Sequence, residues 1–281
     1  MDFLISDEQK QLQDLIHQFI QKDYPFDVRE KLVKTEEGFS KDFWKTFSQF
    51  GLLAMPFSEE DGGFNGGPVD VMIILEAFGT GLIVEPYIPN IVLSGNLVSK
   101  LGSKEQKEAI LPNLLNGDMQ LAFAFSEPQS RFDLNDVTTS AEKDGEGYKL
   151  NGYKSVVMNG PAADKLIVSA RTAGSQLDEN GISLFIVDRD ADGVSLRDYS
   201  NVDGSKASEL TLENVVLPKE ALLGDQDKAF STIEEVVNLA TLAISAEAIG
   251  IMQKMNELTL ESTKTREQFG QALSQFQALQ H

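Results

Sequence analysis

The chain has 281 residues, 41% of them hydrophobic, with a formal net charge of −20 and no cysteine. That apolar fraction excludes disorder, and the absence of cysteine excludes disulfides, thiolate zinc sites and cysteine nucleophiles. The acidity argues against duplex nucleic acid and anionic membranes as partners, because both are bound through clustered Lys and Arg.

The length exceeds what one core usually covers, so two or three sub-domains are expected. The opening MDFLISDEQK has no basic segment of a signal peptide, and no run reaches the eighteen or so apolar residues of a membrane span. These features predict a soluble, cytoplasmic protein.

Helical signals fill residues 1–120. Ser6 and Gln9 form a capping box ahead of the apolar stripe Leu12, Leu15, Ile16, Phe19 and Ile20. Ser40 caps a second helix with Phe43, Trp44, Phe47 and Phe50 on one face, ended by Gly51. A third and more buried helix is VDVMIILEAFG (69–79). SGNLVSKLG and SKEQKEAILPNLLNG give two more, the latter with its own Ser103/Gln106 box.

Over 121–225 the period changes. LAFAFSE, VTTSAEK, GYKLNG, KSVVM, KLIVSA, ISLFIVD, VSLRDY and SELTLENVVL are short β-rich runs separated mostly by Gly, Asn or Asp turns. They predict an antiparallel sandwich or barrel. From 226 to 281 helical periodicity returns, with one glycine before Gly270. Gly270 is read as a break, with a new helix near Leu273. So long a helix, apolar on more than one side, calls for several neighbours and hence a bundle.

The glycine-rich DGGFNGG (61–67) lacks the Lys-Ser/Thr of a phosphate loop, and GTGL (79–82) follows a helix rather than a strand. Both are read as turns. Only His17 and His281 could serve a histidine triad or metal site, neither in a suitable setting, so no metal is expected. Glu127 stands out at the end of an apolar strand, before Pro128, where functional residues often sit.

Taken in order, several segments resemble the acyl-CoA dehydrogenase family: FWKTFSQFGLLAMPFSEEDGG (43–63), LGSKEQKEAILPNLLNGDMQLAFAFSEP (101–128), GEGYKLNGYKSVVMNG (145–160), LTLENVVLPKEALLG (210–224) and KTREQFGQALSQFQALQH (264–281). The resemblance implies an α+β multidomain fold with an N-terminal helical domain (1–120), a central antiparallel β domain (121–225) and a C-terminally incomplete helical bundle (226–281). It implies FAD-dependent α,β-dehydrogenation of an acyl-CoA thioester to an enoyl-CoA. In that chemistry a glutamate takes the α-proton and the flavin takes the hydride.

Carried over by position, Phe123, Phe125 and Ser126 line the flavin, and Val156 and Met158 flank its ring. Arg266 and Phe269 reach the FAD of a neighbouring subunit, with Gln277 near that cofactor. An arginine suits this role because its guanidinium binds pyrophosphate bidentately.

The resemblance also implies an electron-transferring flavoprotein as acceptor and a homo- or hetero-oligomer. KSVVMNGPAADKLIVSART is most similar to the small-subunit branch, typified by pimeloyl-CoA dehydrogenase small subunits and heteromeric steroid-degrading enzymes. Three departures stand out. Gln129-Ser130-Arg131-Phe132-Asp133 replaces a glycine-rich loop, Val156 an aromatic residue and Met158 a threonine. The family's usual base glutamate falls past His281, and the alternative base position is Ala240, followed by Thr241 where arginine is usual. No catalytic base is therefore assigned, and the alternative expectation is a non-catalytic partner subunit that completes a composite site.

Overall fold

The first capping box forms as its sequence predicts. The Ser6 hydroxyl accepts from the Gln9 amide (3.1 Å) and the Gln9 side chain accepts from the Ser6 amide (2.9 Å). It opens α1 (Asp7–Asp23). The computed structural model describes residues 5–281, so part of the chain start that was read for a leader lies outside the described residues. There follow α2 (Phe26–Leu32), α3 (Lys41–Gln49) and α4 (Pro68–Gly81). A π-helical segment (Ile88–Gly95) runs directly into α5 (Asn96–Leu101), ahead of α6 (Lys104–Leu115). The helix expected from Ser94 thus begins six residues earlier, at Ile88.

Aromatic packing ties these helices together. Phe47 of α3 stacks on Phe78 of α4 at 5.0 Å, and Phe78 meets Tyr87 edge-on at 5.7 Å. All are buried, with Trp44, Phe19 and Tyr24 around them. Such pairs contribute about 0.5–1.5 kcal/mol each beyond their buried area.

The β layer comprises β1 (Leu121–Ala124), β2 (Ser140–Asp144), β3 (Gly147–Met158), β4 (Lys165–Arg171), β5 (Ile182–Asp188), β6 (Val194–Ser200), β7 (Lys206–Leu217) and β8 (Leu222–Leu223). It is one connected sheet in the order β6-β7-β3-β2-β4-β5-β8, and β1 joins β4 in parallel. The pairings are otherwise antiparallel, except for a parallel contact of Ser140 with Arg171.

GYKLNG and KSVVM are one strand rather than two. Asn151-Gly152 makes no turn. Instead Gly152 lets β3 pass close over Thr139, whose Cα would lie 2.7 Å from an added Cβ. The register against β7 shifts there and again between Lys154 and Val157.

α7 (Phe230–Thr265) is 36 residues long, about 54 Å at 1.5 Å per residue. Gly79 and Gly250 let it cross α4 at contact distance. A Cβ on Gly250 would lie 1.9 Å from the Glu76 carbonyl oxygen, and one on Gly79 would lie 2.1 Å from that of Glu247. GTGL is therefore not only a turn: Gly79 is a packing position inside α4, and Leu82, at φ 52°, ends the helix.

α7 also stops before Gly270. Residues 266–272 form a hairpin from β9 (Glu267–Gln268) and β10 (Gln271–Ala272), with Phe269 (φ 55°) and Gly270 (φ 81°) at its tip. A single 3-10 turn, Leu273–Gln275, and α8 (Gln277–Gln280) follow, in place of the helix expected from Leu273.

One 18-residue window of α7, with mean hydropathy 1.5, is long and apolar enough by composition to cross a membrane. In the fold this helix packs on α4 and the π-helical segment. Along its length it also exposes Leu242, Ile244, Ile249, Met252, Met255 and Leu258, while Ile251 is half-buried. Exposed apolar surface of this kind drives association. The isolated chain is expected to self-associate, seen as a mass above 30.9 kDa that rises with concentration in light-scattering chromatography. A concentration-independent monomer would refute this.

Candidate active site

The candidate site lies where β1 ends beside a bulge in β3. The Ser155 amide donates to the Ser126 carbonyl at 2.9 Å, and the two hydroxyls lie 3.5 Å apart. The bulge turns Val156 outward while Val157 stays in the core, and it brings Met158 out on the same side. Val156 is 42% and Met158 38% exposed. Phe123 is buried and stacks on half-buried Phe125 with ring centroids 4.8 Å apart. The structure thus brings Phe123, Phe125, Ser126, Val156 and Met158 together. Arg266, Phe269 and Gln277 are elsewhere, all exposed and at or beyond the far end of α7. Arg266 is fifteen residues past Ile251, about 22 Å of helix.

Two polar networks that sequence reasoning missed hold the strand ends. In the first, Asn90 of the π-helical segment donates to the Gln120 side chain (2.8 Å) and accepts from the Leu121 amide (2.8 Å). Asn159, just past β3, donates to Gln120 (3.2 Å) and to the Leu121 carbonyl (3.0 Å). Three buried amides therefore fix β1 and the end of β3 to the helical layer.

The second network centres on Glu127. This residue is the carboxylate of a fully buried ion pair, with Lys154 Nζ at 2.8 Å from Oε1 and both side chains at 0% exposure. The amides of Thr138 (2.8 Å) and Thr139 (3.0 Å), the Thr138 hydroxyl and the Gln129 side chain (2.8 Å) also donate to it. Lys154 donates as well to Ser169 Oγ at 3.0 Å. Burial raises the Glu127 carboxyl, but the Lys154 charge and these hydrogen bonds outweigh it and hold it at about 2.

Glu127 therefore anchors the strand end and does not face a reactant. Its folded pKa lies below the ordinary value of 4.5, so its stabilisation is present above that value and is lost as pH falls toward about 2. Acid unfolding in that window is expected, and E127Q should flatten the pH dependence of the urea midpoint there.

The loop replacing the glycine-rich segment keeps a glycine-like turn. Arg131 adopts φ 49°, and Phe132 projects into solvent, 96% exposed. Its side chain does not fill the strand-end surface. Ala240 is half-buried, and the Thr241 hydroxyl donates to the Val237 carbonyl at 2.9 Å, so neither residue presents an ionisable group.

Beside Met158 a cavity of about 300 Å³ opens between α4, the π-helical segment and α7. Leu75 and Phe78 wall one side, and Ile244 and Ile251 the other. Among the described residues no group of acidic residues and histidines could hold a metal ion. The uncovered apolar pair Val156 and Met158, flanked by a serine hydroxyl, fits a flat ring laid on the strand end.

A helical layer, a mostly antiparallel sheet with a bulged strand at its functional edge, and a long closing helix define the three-part architecture of a flavoprotein dehydrogenase. Family models agree along the chain: acyl-CoA dehydrogenase, N-terminal domain over residues 6–118, middle domain over 122–215 and C-terminal domain over 228–281. The chain belongs to the acyl-CoA dehydrogenase family, oxidoreductases that act on acyl-CoA.

It is 33% identical over 288 residues to a mitochondrial 2-methylacyl-CoA dehydrogenase of Solanum tuberosum, covering 99% of this chain and 68% of the relative. It is 29% identical over 280 residues to the caffeyl-CoA reductase-Etf complex subunit CarC of Acetobacterium woodii, covering 98% and 73%. Among solved structures it matches the FAD complex of PigA (TM-score 0.91, 25% identity, covering 100% and 74%). It also matches the ChsE4-ChsE5 complex of Mycobacterium tuberculosis (TM-score 0.86, 25% identity, covering 100% and 73%).

Proposed function

We propose that this chain binds FAD and contributes to α,β-dehydrogenation of an acyl-CoA, working as a subunit of a homo- or hetero-oligomer. The observation that carries this reading is the exposed apolar pair Val156 and Met158 on the strand end that meets Ser126, with Met158 also lining the cavity between α4 and α7. FAD supplies the electron acceptor when bound. Phe125, Ser126, Val156 and Met158 hold its ring, the Ser126 hydroxyl being available to donate a hydrogen bond. The cavity walls orient the acyl chain and keep water from it. Arg266, Phe269 and Gln277, exposed beyond the last turn of α7, serve the cofactor of a neighbouring subunit.

An electron-transferring flavoprotein is the proposed acceptor, in keeping with the Etf complex of the CarC relative. The cysteine-free composition suits any reducing compartment, the cytoplasm among them. R266A is expected to weaken FAD binding about tenfold, roughly 1.4 kcal/mol, without lowering thermal stability of the flavin-free chain. Fluorescence titration with FAD measures it, and unchanged affinity would remove Arg266 from the site.

A second reading is favoured by one observation: Ala240 and Thr241 offer no base at the family's alternative position. On that reading the chain completes the site of a related catalytic subunit, and the heteromeric ChsE4-ChsE5 neighbour is in keeping with it. Activity that appears only with a co-expressed homologue supports this role. Turnover by the chain alone supports the first.

A further inference from the structure

The bulge in β3 turns Val156 and Met158 outward, yet the residues at the bulge do not by themselves say where it should fall. Lys154 pairs with Leu210 and Val157 with Ser208, so Ser155 and Val156 together face the single residue Glu209 of β7. Strict alternation from buried Lys154 would put Val156 in the core and Val157 outside. The extra residue reverses this: Val157 is fully buried and Val156 is 42% exposed. Two adjacent valines are chemically the same, so exchanging them between core and surface changes nothing in what is buried. A contact outside the Val156-Val157 pair must choose.

The backbone of Ser155 carries that choice. Its amide donates to the Ser126 carbonyl at 2.9 Å, at the end of β1. Its carbonyl accepts from the Tyr199 hydroxyl at 3.2 Å. Tyr199 is on β6, which pairs with β7 and not with β3. Reaching Ser155 means crossing two strand spacings, about 10 Å. Directly opposite Tyr199 is Ala207, and opposite Ala207 is Met158. The three stand in one row on one face of the sheet. A methyl group in the middle leaves the tyrosine ring room to lie across β7, and Ala207 is fully buried. Nearby polar groups are engaged with one another: Glu209 is ion-paired with Arg197, and the Tyr153 hydroxyl stands beside Glu209. Among the described residues, Tyr199 is the side chain of β6 or β7 that bonds the bulge backbone.

We propose that Tyr199 is a positioning residue for the flavin. Its hydroxyl holds the bulge at Ser155-Val156 and so keeps Val156 beside Met158 on the surface that takes the ring. It acts through the Ser155 carbonyl rather than by touching the cofactor. This rests on the reading that places the flavin at the Ser126–Val156–Met158 surface, and deepens it.

The test compares Y199F, which removes the hydroxyl and keeps the ring over Ala207, with Y153F, which removes a hydroxyl from the same face that does not bond the bulge. In fluorescence titration Y199F is expected to bind FAD about fivefold more weakly than the parent, the size of one lost hydrogen bond, with Y153F unchanged. The visible band of FAD at saturation should change shape in Y199F alone, a signature that a general loss of stability does not produce. In the flavin-free chain, hydrogen exchange of residues 153–158 should quicken about fivefold in Y199F and stay as in the parent in Y153F. Parent-like affinity, spectrum and exchange in Y199F overturn the proposal, as does an equal loss in Y153F.

If the parent chain binds no FAD, the flavin reading itself fails, and exchange in the flavin-free chain decides alone. Faster exchange over 153–158 in Y199F upholds the hold on the bulge. Unchanged exchange overturns it.

Discussion

Gly250→Ala is expected to destabilise the chain by about 3 kcal/mol or more, although alanine is the better helix former by about 1 kcal/mol. The sign is set by the α4–α7 crossing, where the new Cβ would fall 1.9 Å from the Glu76 carbonyl oxygen. That atom is backbone on a second helix, so relief requires separating α4 from α7. Gly79→Ala meets the Glu247 carbonyl at 2.1 Å from the other side and should behave alike. Because both substitutions open the same crossing, their costs should sum to less than additivity gives. Urea unfolding followed by far-UV circular dichroism measures this. A neutral or stabilising Gly250→Ala would show that the helices do not cross as described. The crossing also places Ile244, Glu247 and Ile251 along the cavity, so its loss would reach the candidate site.

Lys154→Met should cost about 3–5 kcal/mol, the usual penalty for leaving a buried charge without its partner. Glu127 would remain at 0% exposure among two amides, a hydroxyl and a glutamine side chain, with no cation. The double variant E127Q/K154M should recover much of that loss, because it removes both charges. Recovery in the double variant separates electrostatics from poor packing of methionine. Ser155 and Val156 directly follow Lys154, so the single variant should also loosen the bulge that meets Ser126. A Lys154→Met chain as stable as the parent would contradict the buried pair.

Much of the architecture was legible in the sequence. The capping boxes at Ser6/Gln9 and Ser103/Gln106 form with both reciprocal hydrogen bonds, because their chemistry is local. The change from helical to β periodicity near residue 121 and back near 227 marks real transitions. Long-range features were not legible. Asn151-Gly152 has the composition of a turn, but tertiary packing over Thr139 keeps it in a strand. Gly79 looked like turn punctuation, and its role appears only once Glu247 is placed against it. The helical spacing of Leu273, Phe276 and Leu279 did not yield one continuous helix. The last turn of α7 gives way to a hairpin, and these residues follow it in a 3-10 turn and a four-residue helix.

The candidate site divides in the same way. Ser126, Val156 and Met158 were named by resemblance alone, and the β3 bulge gathers them on one surface. Glu127 was singled out for its strand-end position, yet its partner Lys154 is 27 residues away and no local signal names it. Glu85 lies in the connection between α4 and the π-helical segment and Glu247 in the middle of α7, and no local signal joins the two. Only the packing of α4, the π-helical segment and α7 shows them lining one cavity.

The central claim is that this chain carries a flavin at the Ser126–Val156–Met158 surface and uses it on acyl-CoA. The most direct measurement is the visible absorption spectrum of the chain after FAD loading and gel filtration, before and after anaerobic addition of acyl-CoA. The account predicts a yellow protein whose flavin absorption bleaches on addition. A colourless chain, with all FAD eluting free, would contradict it.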